Sequence, residues 1–371
     1  MSEEPEVLIR VEGVAGRITL NRPRALNALN AEMCAAISEA LLAWRDDERV
    51  SLVLIDGTGE RAFCAGGDIR VVAESGKGDG AVARRFFHVE YRMNELLQRY
   101  PKPVVAIMDG VTMGGGVGVS APARYRIATE RTLWAMPEGD IGLFPDVGGG
   151  WHLSRLPGQI GPWVALTGAR LRGADCCTLG IASRLISSER LDNLIAILSS
   201  AHPGEGRDPG QIIAEFAAEG SASGPADSEG PPASPVLGPG LRRDEREKID
   251  RLFAFDTVEE IVEALRTDGS DWARTQADIL AKKCPTTLKV ALRLIREGAR
   301  RTSFAEEMAV EYRLAVRMSR RHDFIDGVRA VIVDKDNAPR WDPPDLAGVT
   351  DDMLDELFAP LPPGEEWTPL D

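Results

Sequence analysis

The chain opens with an alternation of polar and apolar residues and then changes to helical spacing. Residues 7–12 alternate, residues 13–16 are turn-rich, and residues 17–20 resume the alternation, which predicts an antiparallel hairpin. From Asn27 onward apolar residues recur three or four positions apart. This spacing predicts an amphipathic helix whose apolar stripe carries Leu29, Met33, Ile37, Leu41 and Trp44.

Two continuous apolar runs predict strands that are buried on both faces. Residues 51–55 end at Asp56-Gly57, and residues 104–108 end at Asp109-Gly110. The apolar stretch 104–123 contains an aspartate and several glycines, so it predicts a strand, a turn and a helix rather than a membrane span. Strands alternate with helices to about residue 190, which predicts an α/β architecture opened by ββα units.

Composition divides the chain into three parts. Residues 1–200 carry the α/β pattern. Residues 201–247 are rich in glycine, proline and serine, apart from one short predicted helix at 211–218, and indicate a flexible surface insertion. Residues 248–371 are mainly helical in pattern, with clear helical spacing at 258–265 and 288–295, and end in an acidic, proline-rich tail.

Composition and charge exclude several classes of function. The chain has 371 residues, 43% hydrophobic and 27% charged, which is enough apolar material for a large core. Its 44 basic and 58 acidic residues give a net charge of −14, so neither nucleic acid nor a membrane surface is an expected partner. Residues 1–6 are acidic and match neither a signal peptide nor a transit peptide, which predicts a cytoplasmic protein.

Cysteine and histidine spacing gives no indication of a metal site. The five cysteines are an odd number and lack metal-ligand spacing, so we expect reduced thiols that serve packing. His88 and Glu90 lie close together in sequence, but no cysteine or histidine cluster accompanies them. We therefore predict no metal.

Two glycine-rich loops follow predicted strands and supply the first candidate chemistry. They are residues 63–70, which contain Gly66-Gly67, and residues 110–118, which contain Gly114-Gly115-Gly116. One backbone N–H from each loop could stabilise negative charge on a carbonyl oxygen, as an oxyanion hole does. Alternatively, each cluster only permits a turn or close packing. Neither loop has the spacing of a phosphate-binding motif.

Three acidic residues lie among apolar neighbours and are candidates for proton transfer. Glu138 and Asp146 fall within residues 136–150, where glycines and prolines surround them. Glu90 shares a predicted helix face with Phe86, Phe87, Met93 and Leu97. Burial raises the pKa of a carboxyl group and suits it to act as a general base. The alternatives are a surface position for Glu138, a turn or cap for Asp146, and a buried salt bridge to an arginine for Glu90.

These segments together resemble the crotonase (enoyl-CoA hydratase/isomerase) superfamily. The resemblance is carried by residues 21–29, 64–70 and 114–116. Within the superfamily the chain is more similar to the 3-hydroxyisobutyryl-CoA hydrolases, through residues 136–138, 141–150, 311–314 and 322–336. The resemblance covers nearly the whole chain apart from the low-complexity insertion. It implies a crotonase-like ββα spiral core with a mostly helical C-terminal region.

The resemblance also implies roles for particular residues. The N–H groups of Gly67 and Gly115 would polarise a thioester carbonyl, and Glu90, Glu138 and Asp146 would occupy the substrate and catalytic positions. The substrate implied is (S)-3-hydroxyisobutyryl-CoA, an intermediate of valine breakdown, with 3-hydroxypropionyl-CoA as a second substrate. CoA arrives as part of the substrate, so no bound cofactor is expected. The path of its pantetheine and adenine would be lined by Gly67, Asp68, Ile69 and Arg70.

Two other functions are consistent with the same resemblance. Hydratases of the superfamily carry two glutamates; Gly118 stands at the position of the first here and Glu138 at that of the second, so we expect poor hydration. Asp146 stands where hydratases have a small residue. A non-catalytic acyl-CoA-binding protein is the other alternative. Whether Glu138 would act as base or as nucleophile stays open.

Basic residues and assembly are the remaining expectations. Local positive charge attracts an anion even on an acidic protein, and each such residue is otherwise a solvated surface charge. Relatives in the superfamily often form trimers, so a homo-oligomer is an expected alternative to a single chain. The candidates for contact with the CoA phosphates are Arg22, Arg24, Arg70 and Lys335.

Overall fold

A computed structural model describes residues 4–201, 208–221 and 241–370 of the chain. The described residues form ten strands, which are β1 (Val7–Glu12), β2 (Ala15–Leu20), β3 (Leu52–Gly57), β4 (Ala62–Cys64), β5 (Val104–Met108), β6 (Val111–Met113), β7 (Tyr125–Ala128), β8 (Leu133–Ala135), β9 (Leu171–Arg172) and β10 (Arg184–Leu185). One sheet has the order β1-β2-β3-β5-β7-β10, and the other has the order β4-β6-β8-β9. The predicted hairpin is confirmed as the antiparallel pair β1 and β2, whereas β2, β3, β5, β7 and β10 run parallel.

From β3 to β8, successive strands alternate between the two sheets. Each of the pairs β3 and β4, β5 and β6, and β7 and β8 gives one strand to each sheet before the chain returns through a helix or loop. The ββα units predicted from the sequence are therefore confirmed, and their repetition winds the chain into a spiral. The helices up to residue 200 are α1 (Ala31–Arg45), α2 (Ile69–Gly76), α3 (Ala81–Gln98), α4 (Gly115–Ser120), α5 (Gly149–Leu153), α6 (Ile160–Thr167), α7 (Gly173–Thr178) and α8 (Leu191–Ser200).

Helices make up most of the remaining described chain. The predicted helix at 211–218 is confirmed as α9 (Pro209–Ser221), whose Ile212, Ile213 and Phe216 pack on the six-stranded sheet. The later helices are α10 (Arg243–Leu252), α11 (Val258–Asp268), α12 (Asp271–Leu280), α13 (Pro285–Gly298), α14 (Phe304–Met318), α15 (His322–Val328) and α16 (Asp351–Phe358). A π-helix at Arg329–Val333 follows α15, and short 3-10 helices lie at Pro23–Ala25, Glu138–Asp140, Ser188–Arg190 and Leu346–Gly348.

The expected insertion at 201–247 is only partly described. It contains α9 and the start of α10, while its residues 202–207 and 222–240 lie outside the described residues. The region from α10 onward packs on the core: α13 contacts α5 and α6, α14 contacts α3, and α15 contacts α2. In the part of the chain that the structure describes, no helix has the length and apolar character needed to cross a membrane.

Buried strands explain the continuous apolar runs of the sequence. In β3, Val53 and Ile55 join the larger apolar core, while Leu52 and Leu54 join a second core beneath α8 and α9. Successive side chains of a strand point to opposite faces, so a strand covered on both sides must be apolar throughout. The strand predicted at 104–108 is confirmed as β5 and is buried throughout for the same reason.

The helix predicted from Asn27 begins later, at Ala31. Asn27 adopts a left-handed conformation with φ of 58°, and its side-chain amide donates to the carbonyl oxygens of Thr58 and Ala62. Asn30 caps α1 by accepting from the N–H of Met33 at 2.8 Å. Leu29 lies outside the helix and forms a parallel β-bridge with Gly67. The segment before α1 therefore supports the first glycine loop instead of extending the helix.

The C-terminal residues 365–370, here called the C-terminal strap, run along α3. Arg84 donates to Glu365, Arg92 to Thr368 and Arg99 to the Leu370 carbonyl, at 2.6 to 2.9 Å. Trp367 of the strap is buried, and its indole N–H donates to the carbonyl of His88. The acidic tail expected from the sequence is thus attached to the helix that carries Glu90.

Candidate active site

The two glycine loops meet at one edge of the four-stranded sheet. Strands β4 and β6 are parallel neighbours, so the loops at their carboxyl ends lie side by side. A β-carbon placed on Gly114 would lie 3.4 Å from the α-carbon of Gly66. Among the hydrogen bonds of the described residues, none is donated by the backbone N–H of Gly67 or of Gly115. The site therefore has two donors available to a ligand, one from each predicted loop.

The same glycines also permit close packing. A β-carbon on Gly67 would lie 2.7 Å from the Phe86 ring, and one on Gly116 would lie 2.2 Å from the Cys64 carbonyl oxygen. Atoms cannot approach that closely without displacement. The packing alternative considered from the sequence is therefore correct as well, because the loops are packed tightly where they present their N–H groups.

Three acidic side chains line the cavity beside these loops. Glu90 is 2% exposed, and Glu138 and Asp146 are each 5% exposed. A β-carbon on Gly115 would lie 2.7 Å from Glu90 Oε1, and one on Gly114 would lie 3.3 Å from Glu138 Oε1. Two carboxyl groups therefore flank the second glycine loop. The apolar part of the wall comes from Ile69, Phe86, Phe87, Met113, Ile141 and Leu143.

The surroundings of Glu90 and Glu138 decide between the alternatives left by the sequence. In the described structure Glu90 forms no ion pair, and its Oε1 has no hydrogen-bond partner, so the salt-bridge alternative is wrong. Glu138 is buried in a 3-10 turn, so the surface alternative is wrong too. Burial is the main cause, and the charge of Asp146 the second, that raises the pKa values of the Glu90 and Glu138 carboxyl groups well above the ordinary value for glutamate.

Asp146 is held by a tyrosine on the same helix as Glu90. The hydroxyl of Tyr91 donates to Asp146 Oδ2 at 2.7 Å, and both groups are buried. Burial raises the pKa of Asp146 to about 6, although the hydrogen bond from Tyr91 favours the ionised form. The backbone of Asp146 does form a turn, since its carbonyl accepts from the N–H of Gly149. Its side chain nevertheless faces the cavity.

A buried glutamate of α14 holds the loop that follows Asp146. Glu311 accepts hydrogen bonds from the N–H of Gly148 at 2.8 Å and of Gly150 at 3.1 Å. These bonds hold the loop where Val147 and Gly148 adopt positive φ values. The sequence suggested no such role for Glu311 or for Tyr91. One signal was present: Glu311 lies on an apolar helical stripe with Met308 and Leu314, as Glu90 does on α3.

Gly118 lies where a side chain has no room. A β-carbon on Gly118 would lie 2.6 Å from Val147 Cβ and 2.8 Å from Asn94 Nδ2. The loop that presents Asp146 therefore fills the space into which a glutamate at position 118 would extend. The second acid of this site comes from the loop after Glu138 and not from α4.

The basic residues expected to contact the CoA phosphates lie at different positions in the structure. Arg22 pairs with Glu6 at 2.9 Å and with Asp68 at 3.2 Å, so its charge is largely compensated. Asp68 thereby points to Arg22, while Ile69 contributes to the cavity. Arg70 is exposed and donates to the carbonyl of Ile332, three residues before the exposed Lys335. Arg70 thus contacts the segment that leads to Lys335, and Arg24 is exposed in the 3-10 helix after β2.

The five cysteines are unpaired, and four of them are buried. Burial raises the pKa of the Cys64 thiol to about 12, so it is uncharged beside the first glycine loop. Within residues 4–201, 208–221 and 241–370, no group of three histidine, cysteine, aspartate or glutamate side chains is arranged to hold a metal ion.

The chain is similar to known proteins along most of its length. A family profile described as enoyl-CoA hydratase/isomerase matches residues 15–358. The chain is 46% identical over 356 residues to the mitochondrial 3-hydroxyisobutyryl-CoA hydrolase of Danio rerio, covering 96% of this chain and 90% of that one. It is 42% identical to the mitochondrial enzyme of the same name from Homo sapiens, covering 96% and 89%.

Two solved structures match almost the whole chain. A carnitinyl-CoA dehydratase from Mycobacterium thermoresistibile is 40% identical with a TM-score of 0.83, covering 98% of this chain and 99% of that one. An enoyl-CoA hydratase from Rhodobacter sphaeroides is 39% identical with a TM-score of 0.84, covering 98% and 100%. The predicted crotonase-like core with a helical C-terminal region is therefore confirmed.

The comparisons also correct one expectation. The cytoplasmic location predicted from residues 1–6 is wrong, because the curated relatives are mitochondrial proteins. The predicted family, by contrast, is confirmed by relatives that are similar along nearly the entire chain. The chain belongs to the enoyl-CoA hydratase/isomerase superfamily and, within it, to the family of 3-hydroxyisobutyryl-CoA hydrolases.

Proposed function

We propose that this chain hydrolyses the thioester of (S)-3-hydroxyisobutyryl-CoA to 3-hydroxyisobutyrate and CoA, as a step of valine breakdown. The proposal rests on one cavity, which is lined by three buried carboxyl groups and by two backbone N–H groups that have no acceptor among the described residues. The names of the curated relatives support the choice of acyl group. CoA enters with the substrate, so the scheme requires no bound cofactor.

The two N–H groups act on the thioester carbonyl. Its oxygen accepts from Gly67 and Gly115, and the negative charge that develops during attack is stabilised there. Removal of one such donor typically lowers the rate on the order of 100-fold or more. A side chain on Gly67 would collide with Phe86 and one on Gly115 with Glu90, so both donor positions require glycine.

Glu138 supplies the attacking oxygen or activates it. As a base, it takes a proton from water while the hydroxide adds to the carbonyl, and CoA thiolate then leaves and takes the proton back. As a nucleophile, Glu138 attacks the carbonyl, the C–S bond breaks, and water hydrolyses the resulting mixed anhydride. Its raised pKa makes the carboxylate a stronger base in either route. Many turnovers in ¹⁸O-water separate the two routes, because label can enter the Glu138 carboxyl only through hydrolysis of the mixed anhydride.

Asp146 and Glu90 orient the groups around the carbonyl. Ionised Asp146, held by Tyr91, accepts a hydrogen bond from the substrate hydroxyl or the attacking water. Glu90 faces the Gly115 side of the same cavity. A hydroxyl on the acyl chain can donate a hydrogen bond to these acids. The site therefore favours 3-hydroxyacyl esters, and we expect 3-hydroxypropionyl-CoA to be a second substrate. Arg70, Lys335 and Arg24 are the candidates for contact with the CoA phosphates.

The decisive assay measures thiol release from (S)-3-hydroxyisobutyryl-CoA. We expect Glu138→Gln and Asp146→Asn each to lower kcat by two orders of magnitude or more. The control is Asp192→Asn, because Asp192 is exposed on α8 and lies outside the cavity. No thiol release by the parent protein refutes the proposal.

Crotonyl-CoA tests the other family activities in parallel. Hydration of crotonyl-CoA faster than hydrolysis of the 3-hydroxyacyl ester would favour a hydratase, despite the space that Val147 denies to an acid at position 118. Tight binding of both esters without turnover, unchanged in Glu138→Gln, would favour an acyl-CoA-binding protein. A homo-oligomer stays a prediction, which sedimentation of the purified protein tests.

A further inference from the structure

A second cavity lies next to the segments that carry the catalytic acids. Its volume is about 180 Å³, and it shares no lining residue with the active-site cavity. Its wall includes Met136, two residues before Glu138, and Gly148, two residues after Asp146. Most of the wall is apolar and comes from residues such as Val117, Trp134, Leu153 and Ile181. The two cavities therefore adjoin the same segments of backbone.

Two arginines of this cavity have no acidic partner. In the described structure, neither Arg126 nor Arg155 forms an ion pair. Arg126 donates to the carbonyls of Ala123, Gly180 and Ile181. Arg126 is half-buried, whereas Arg155 is exposed; Arg155 likewise donates to backbone carbonyls, including those of Gly298 and Arg301. Neutral acceptors hold both guanidinium groups in place without compensating their charge.

A histidine beside them adds an unused polar atom. His152 lines the cavity, and its buried Nε2 has no hydrogen-bond partner in the structure. Burial and the charges of Arg126 and Arg155 lower the pKa of His152 to about 3, so the imidazole is neutral. The charge of Glu307 acts on Arg155, but Glu307 is itself paired with Arg301 at 2.8 Å. The cavity therefore combines uncompensated positive charge with a neutral ring nitrogen.

We propose that this cavity binds a short aliphatic carboxylate. A carboxylate compensates the charge of the two guanidinium groups and accepts hydrogen bonds from them, whereas the apolar wall takes a small branched or linear hydrocarbon body. A phosphate or sulfate ion would leave that wall unfilled. The carboxylate source is either the acid released by hydrolysis or an unrelated short-chain acid of the cell, and the two share this chemistry.

Binding here would act on the reaction through the Asp146 loop. Gly148 and Gly149 line the cavity, and Gly148 donates to Glu311. A ligand pressing on these glycines shifts the backbone that positions Asp146 without entering the acyl-CoA site. The expected kinetic pattern is a lower kcat with little change in KM, which distinguishes this site from competition at the active site.

Calorimetric titration with isobutyrate tests the proposal, with isobutyramide as the uncharged control. We expect a Kd on the order of 1 mM for isobutyrate, as suits a ligand of so few atoms, and no heat from the amide. Arg155→Met should weaken isobutyrate binding at least about tenfold. Ala121→Leu, which fills the cavity and leaves both arginines, should abolish it. The matched control is Arg124→Met, because Arg124 is exposed and outside the cavity.

Several results would overturn the site. They are equal binding of the amide, undiminished binding to Ala121→Leu, and isobutyrate inhibition that is purely competitive with the acyl-CoA ester. Circular dichroism of each variant confirms that it folds before its titration is interpreted. A titration with 3-hydroxyisobutyrate then identifies the source: binding tighter than isobutyrate indicates the reaction product, and weaker binding indicates another short-chain acid. Because binding is measured without turnover, it does not depend on the proposed hydrolysis.

Discussion

Replacing Tyr91 with phenylalanine isolates the contribution of one buried hydroxyl to the reactivity of Asp146. The Tyr91 hydroxyl donates to Asp146 Oδ2 at 2.7 Å, and both residues are buried. A hydrogen bond to a charged group is worth about 1.5–3 kcal/mol, which corresponds to roughly one to two pKa units. Tyr91→Phe should therefore raise the pKa of Asp146 from about 6 to roughly 7–8.

The consequence is a shift of the acid limb of the pH–rate profile. Ionised Asp146 is the form proposed to accept the hydrogen bond, so activity falls as the pH drops through its pKa. At pH 7 the variant should lose about two- to tenfold in kcat/KM, and most of that loss should disappear by pH 9. The assay is thiol release between pH 5 and pH 9.5, with Tyr312→Phe as a control outside the cavity. A loss that is equal at every pH would refute the reasoning.

Three other substitutions test separate parts of the site. Burial raises the pKa of Glu138 in the folded protein, so ionisation of this residue increasingly destabilises the fold above pH 4.5. Glu138→Gln should therefore raise Tm at pH 8, and this gain should vanish near pH 4. Gly118→Ala should cost about 1–3 kcal/mol in urea unfolding by collision with Val147, whereas Gly78→Ala, at an exposed position, should cost little. Glu311→Gln should lower kcat roughly tenfold and speed hydrogen exchange at the Gly148 amide, and unchanged exchange would contradict its positioning role.

Local periodicity was sufficient to predict the elements in which buried and exposed residues follow a regular pattern along the sequence. The hairpin, β5, α3 and α13 follow directly from alternating, continuous or helical apolar spacing. The second sheet was not predictable in this way. Its strands have only two or three residues each and acquire their order from the spiral path of the chain. The start of α1 was missed because Asn27 bonds to carbonyls 31 and 35 residues away.

The candidate site shows the same division. Glu90 was identified because an acid on an apolar helical stripe is unfavourable without a purpose, and the two glycine loops were identified by their position after strands. The roles of Tyr91 and Glu311 required the tertiary structure. Glu311 meets its loop across 163 residues of sequence, and no local pattern states which backbone groups a distant side chain will accept from. The sequence shows that Glu311 is an acid on an apolar helical stripe, but it does not show that Glu311 accepts from the Gly148 and Gly150 amides.

The C-terminal strap has a consequence for how the protein is made. Helix α3 is synthesised early, yet its outer face is completed only by residues 365–370, through Arg84, Arg92 and Arg99. A nascent chain on the ribosome therefore carries the Glu90 helix with an uncovered side until synthesis has passed residue 370. Every intermediate length exposes the pocket that Trp367 later fills beside His88. Helix α3 therefore gains its last contacts only when almost the entire described chain has been translated.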